Sequence, residues 1–206
     1  MTRGPRAAAG RRRALAALAG VLAAACVGSP APPDRHFRLA VAPPARRATP
    51  ALPGVLLVER PRADALARRT ALVYVTDAGA PELRTRAYEN WADSPTLLVQ
   101  REIAAGLHAA GVAERVVTPE IRVEPDYRLD AELVRFEEQR GGAAPRVVVE
   151  LAFVLVDERG RGVLLQESYR EERVAPGADA ADAVRAYDAA LSAILARLAA
   201  DLGARP

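Results

Sequence analysis

Apolar residues recur along this chain at two periods, and the elements follow from them. Val99, Ile103, Leu107 and Ala110 fall on one helical face, with Arg101, Ala105 and His108 opposite. Asp93 or Ser94 can cap that helix, Pro95 suits its first position, and Gly111 suits its end. A second, longer helix starts at the capping Asp179 and carries the stripe Val184, Tyr187, Leu191, Leu195, Leu198 and Leu202. Between the helices, Tyr127, Leu129, Ala131 and Leu133 alternate with polar residues. The phase then slips, because Val134 and Phe136 are both apolar, and a bulge is expected there. Val147–Val156 is apolar on both faces and reads as a central strand, whereas Val163–Val174 is more polar and reads as an edge. Gly141-Gly142 and Gly160-Arg161-Gly162 mark the turns of an antiparallel meander.

The first half is sketchier. His36–Val41, Val55–Val58, Ala71–Thr76 and a short stretch near Arg115–Val117 are strand candidates, with Leu83–Tyr88 as hairpin partner to the third. Ala42–Pro53, Asp77–Pro81 and Thr118–Asp126 read as loops or turns. Together these elements predict a single α+β domain: a mixed, mainly antiparallel sheet with two principal helices packed on it.

Ahead of the domain the chain changes character. Residues 1–13 are positively charged, Ala14–Ala24 is an apolar run, and Ala23-Ala24-Ala25 precede Cys26. That order is the pattern of a cleaved secretory signal, and the run is far short of the ~20 residues that span a bilayer. Residues 1–25 are therefore read as a signal peptide and 26–35 as a lipidated N-terminus and flexible tether. Residues 36–206 form the domain. Cys26 is the only cysteine, so no internal disulfide exists. Its setting resembles a bacterial lipobox, with Ala23 where leucine is usual. Cleavage after Ala25 without lipidation is the alternative. Val27, in place of the aspartate that often retains lipoproteins at the inner membrane, favours the outer membrane.

Composition matters mainly through what it excludes. All 29 basic residues are arginine, which rules out a Schiff-base lysine and a phosphate-binding loop with its lysine. The sequence pI of about 9.5 suggests a nucleic-acid binder. Yet five arginines lie in the signal segment, and without them 24 basic residues face 26 acidic ones. A balance of −2 removes the electrostatic case for nucleic acid. No catalytic set emerges either. His36 and His108 with one cysteine make no zinc site, and no cofactor motif appears. Ser29, Ser94, Ser168 and Ser192 sit in no nucleophile elbow. Glu137-Glu138 and Glu171-Glu172 read as solvated strand ends.

The most distinctive stretches are Tyr88-Glu89-Asn90-Trp91-Ala92-Asp93-Ser94-Pro95 and Asp126–Phe136, which opens Asp-Tyr-Arg-Leu-Asp. With His36-Phe37-Arg38-Leu39 upstream, they resemble in order and spacing the ABC-type transport auxiliary lipoproteins, the PqiC-like family. The resemblance implies an outer-membrane lipoprotein on the periplasmic face, without catalytic residues. Its implied partners are an ATPase, a permease and a mammalian-cell-entry (MCE) protein, in a system for lipid trafficking and envelope integrity. Cys26 is the lipidation candidate. Trp91, Asp93, Pro95 and Tyr127 are the candidates for partner contact or for a structural motif. A periplasmic lipid carrier and a periplasmic hydrolase are the competing readings, and homo-oligomerisation is left open. A carrier needs an apolar pocket between sheet and helices, and a hydrolase needs a cleft with convergent polar groups.

Overall fold

Three long strands form the spine of the sheet in the computed structural model, which describes residues 31–77, 79, 82–160 and 162–204. They are β6 (Tyr127–Gln139), β7 (Arg146–Asp157) and β8 (Gly162–Val174), and they run as an antiparallel meander. β7 is central, and both of its faces are apolar. The pairing of β6 with β7 shifts register between Leu133 and Arg135, so the phase slip at Val134 is a bulge. Among the described residues β8 pairs only with β7 and is an edge.

The other edge of β6 is shared by two short arms. β2 (Leu52–Val58) lies parallel along its beginning, with Leu56 opposite Tyr127. β3 (Ala71–Val75) lies parallel along its end, with Tyr74 opposite Glu138. Between them Arg62 bridges to Glu132. β2, the excursion after it and β3 thus track one edge of β6 in one direction. Beyond β2 lies β5 (Ala113–Val117), in parallel. Beyond β3 lie β4 (Arg84–Trp91), antiparallel, and then β1 (Arg35–Phe37), parallel to β4.

Among the described residues four of the seven strand pairs are therefore parallel, which corrects the expectation of a mainly antiparallel sheet. The cause is that short turns specify antiparallel neighbours, whereas the first-half strands pair across long connections. Nothing in a five-residue apolar pattern records a partner some sixty residues away.

Two helices cover the inner face. α1 (Pro95–Ala110) packs on β2, β5 and the second helix, and α2 (Ala180–Gly203) packs on β7 and β8. Pro95 opens α1, and Gly111 closes it in the left-handed region at φ 66°. Ser94 is the residue before the helix, but its side chain caps nothing; instead Asp93 Oδ1 accepts from the Ser94 amide at 2.8 Å. Asp179 caps α2 by accepting from Ala181 N. All four predicted face residues of α1 and all six of α2 are buried.

The first strand ends at Phe37, short of the expected Val41. The chain from Arg38 becomes a strap tied to the helices. Ala40 N donates to Asp188 Oδ1 (2.8 Å) and Ala42 N to Ser192 Oγ (2.9 Å). Arg47 N donates to Ala110 O (2.8 Å). Helical side chains take the place of a strand neighbour, so alternation there does not become a ladder. The expected signal peptide, Cys26 and the first half of the expected tether, to residue 30, lie outside the described residues.

Candidate functional site

The Trp91 segment joins three elements. Trp91 ends β4, and its N–H donates to Thr70 O at 2.6 Å. Its ring lies 5.4 Å from Phe136 of β6 and 5.3 Å from Tyr187 of α2, centroid to centroid, and those two rings are 4.3 Å apart. Such tilted and edge-on arrangements suit the ring quadrupoles. Trp91 is 1% exposed, so its ring faces the core. Burial, with the nearby charges of Glu138 and Glu137, raises the Tyr187 hydroxyl well above the usual phenol range.

Under β4 lies a charged cluster that the sequence did not reveal. β4 shifts register against β3, with Val73 opposite Thr85 and Ala71 opposite Asn90. The extra residues bulge out. Tyr88 takes φ 61° there, which is rare for an aromatic residue, and is 44% exposed. The bulge turns Arg86 inward, where Nε and Nη2 donate to the two carboxylate oxygens of Glu138 (2.9 and 2.8 Å). Arg86 Nη1 donates to Glu89 (2.7 Å) and Nη2 also to Ala178 O (3.1 Å). Arg140 adds a second cation to Glu138 at 3.2 Å. Arg35 then links Glu89 (3.1 Å) to Asp179 (2.8 Å), the cap of α2. Burial works against the Arg86 charge, but Glu138 and Glu89 outweigh it and raise its pKa. Glu137 and Glu138 are thus buried, which corrects their reading as solvated strand ends. In a strand as polar as Arg84–Trp91, one inward arginine leaves no periodic mark.

The remaining candidates lie apart. Asp93 is partly exposed and pairs with Arg101 at 3.5 Å, while Pro95 is buried at the start of α1. Tyr127 is half-buried at the start of β6, nine residues before Phe136 and so roughly 30 Å from the Trp91 cluster along the strand. Its neighbour Asp126 accepts from Val55 N at 2.8 Å and pairs with Arg159. Gly54, at φ 101°, allows this: a Cβ there would overlap the Asp126 carboxylate. The Trp91 and Tyr127 motifs brace opposite ends of the sheet rather than line one site.

Charged side chains also converge around Asp126 and Arg159, where two open hollows of about 430 and 370 Å³ are lined by Glu114, Glu124, Asp157 and Glu158. Among the described residues no group of three or more His, Cys, Asp and Glu is placed to hold a metal. A shallow trough of about 450 Å³ crosses the outer sheet face, where Glu132, Ala152 and Ser168 lie in one transverse row. Ser192 Oγ is occupied by Asp188 O and Ala42 N. Among the described residues no helix is long and apolar enough to cross a membrane.

Residues 37–199 match the family model of the ABC-type transport auxiliary lipoprotein component. None of the curated proteins matches the chain. The fold is similar to a crystal structure of a Xanthomonas campestris protein, at TM-score 0.71 and 21% identity over 80% of this chain and 92% of that one. A solved structure of an uncharacterized protein aligns at TM-score 0.61 and 13% identity, over 84% of this chain and 98% of that one. At such identities the likeness concerns the fold alone.

Proposed function

The chain belongs to the ABC-type transport auxiliary lipoprotein component family, and from that membership we propose that it is a non-enzymatic assembly component holding an MCE-type lipid transporter to the outer membrane. Cys26 is the proposed lipid anchor, and the domain beyond the tether stands on the periplasmic face. The observation that carries this reading is the filled seam between α2 and the sheet. Leu191, Ile194, Leu198 and Leu202 of α2, and Val149, Leu151 and Leu155 of β7, have no solvent exposure at all. No water-sized space touches them, so an acyl chain has no room there. A smaller hollow of about 240 Å³ lies between the strap and the two helices, lined by Val41, Pro43, Ala105, Ala109 and Leu195 of α2, and no strand residue lines it.

A lipid carrier would need the seam to open. The test is native mass spectrometry and thermal melting of the purified Cys26→Ala chain with phosphatidylglycerol vesicles and with palmitate. The expected result is no co-purified lipid and an unchanged melting temperature. A ligand present at 100 times its dissociation constant adds about 2.7 kcal/mol. Bound lipid together with a stabilisation of that size would replace the assembly reading by the carrier.

A further inference from the structure

The hollow between the strap and the helices holds an unmatched charge. Its apolar walls are Val41 and Pro43 of the strap, Ala105 and Ala109 of α1, and Leu195 of α2. Gly106 closes its floor, since a Cβ there would meet Leu195 (3.0 Å) and Pro44 (3.5 Å). The charged residue in its lining is Glu102, half-buried and one helical turn before Gly106. Burial raises the Glu102 carboxyl above the usual glutamate range. The Val41 backbone pulls the other way, and the charge of Asp188 on α2 adds to the rise. Among the described residues neither Glu102 nor Asp188 forms an ion pair. Beside them on the same helices, Asp93 pairs with Arg101 (3.5 Å) and Asp182 with Arg185. Charges withdrawn from water are normally paired, and here the matching cation is missing.

We propose that this hollow is a socket for a lysine side chain of a protein partner, with its methylenes against Val41, Ala105, Ala109 and Leu195 and its ammonium on Glu102. Size and chemistry select this occupant. A volume of about 240 Å³ is roughly eight waters at about 30 Å³ each, room for one unbranched side chain. An apolar channel with a charge at one side suits a long stem that ends in a cation. A fatty acid would instead bring a second carboxylate to Glu102. A phosphoethanolamine headgroup would bring a phosphate toward Glu102 and Asp188. Part of the Glu102 carboxylate is turned to the Val41 backbone, so a planar guanidinium cannot take both oxygens, whereas a compact ammonium needs only one. This chain contains no lysine, so neither the chain itself nor a second copy can supply the group. The socket lies against the helices and does not depend on the Cys26 anchor.

Amide NMR of the purified full chain tests the socket, with N-acetyl-lysine N-methylamide as the probe. The norleucine analogue has the same stem without the ammonium. The lysine probe should shift the Val41, Gly106 and Ala109 amides saturably in the millimolar range. The norleucine probe on the parent, and the lysine probe on Glu102→Gln, should each bind at least about tenfold more weakly, as loss of a charge-assisted hydrogen bond implies. Ala109→Leu fills the hollow from an exposed helix position and should abolish the shifts with Glu102 still in place. Melting curves matching the parent's show that both variants fold. No saturable shift in the parent chain would overturn the proposal. So would equal affinity for norleucine, tighter binding of the arginine analogue, or the same shifts produced by phosphatidylethanolamine vesicles.

Discussion

The seam under α2 and the junction of β4 with β6 hold the same sheet together by opposite means. Under α2, leucine, isoleucine and alanine side chains interlock with β7 and β8, and charges sit at the rim, where the Tyr169 hydroxyl donates to Asp201 (2.6 Å) and Arg197 pairs with Glu171 (3.2 Å). At the β4 junction, Arg86 grips Glu138 with two hydrogen bonds and Glu89 with a third, beside the Trp91–Phe136–Tyr187 rings. Apolar burial is non-directional and tolerant of position, whereas a buried ion pair stabilises only in one geometry. The first therefore supplies the stability of the domain, and the second specifies where the short β3–β4 arm docks.

That contrast can be broken from the charged side. Glu138→Ala leaves Arg86 buried without its bidentate partner and should cost about 3–5 kcal/mol. Trp91→Ala should cost about as much, roughly 3–5 kcal/mol, through its lost ring contacts. Urea denaturation measures both, and a transition unchanged from the parent in either case would remove that residue from the junction. Exchanging both partners sharpens the point. Arg86→Met with Glu138→Leu should recover most of the loss, since well-packed apolar replacements of a buried pair are often neutral. A double variant as unstable as Glu138→Ala alone would mean that the charges hold the fold and not merely its register.

Smaller effects probe the far end of β6. Gly54→Ala forces a Cβ into the Asp126 carboxylate at a positive φ and should cost about 1–3 kcal/mol. An unchanged melting temperature would show that the β2–β6 joint relaxes freely. The smallest effect concerns the strap. Burial raises the Asp188 carboxyl above the usual aspartate range, against the pull of the Ala40 N–H. A raised folded pKa means that its protonated form is favoured by folding. The stabilisation is present below the ordinary aspartate pKa of about 3.9 and is lost as pH rises through the raised value. Asp188→Asn keeps an acceptor for Ala40 N without the charge. Its melting temperature should match or exceed the parent's at pH 7, and the parent should gain on it as the solution is acidified. A difference independent of pH would contradict that origin.

The two regions also differ in how far they could be read from sequence. α1, α2, the central β7, the edge β8 and the bulge near Val134 were legible, because period, caps and glycine turns are local and the core residues repeat them. The parallel arms were not, since β2 and β3 find β6 across dozens of residues. The bulge at Tyr88 and the inward turn of Arg86 leave no periodic trace. Glu137-Glu138 looks like any acidic strand end until Arg86 and Arg140 are seen to meet it. Trp91 stood out as the only tryptophan of the chain, but its ring partners Phe136 and Tyr187 come from distant elements.

The assembly reading meets its most direct test in membrane fractionation of cells producing the parent chain and Cys26→Ala. The parent is predicted to sediment with outer membranes and to bring an MCE protein with it after cross-linking, while Cys26→Ala is released to the soluble periplasm. Parent chain confined to inner-membrane fractions, or Cys26→Ala still sedimenting as the parent does, would contradict it.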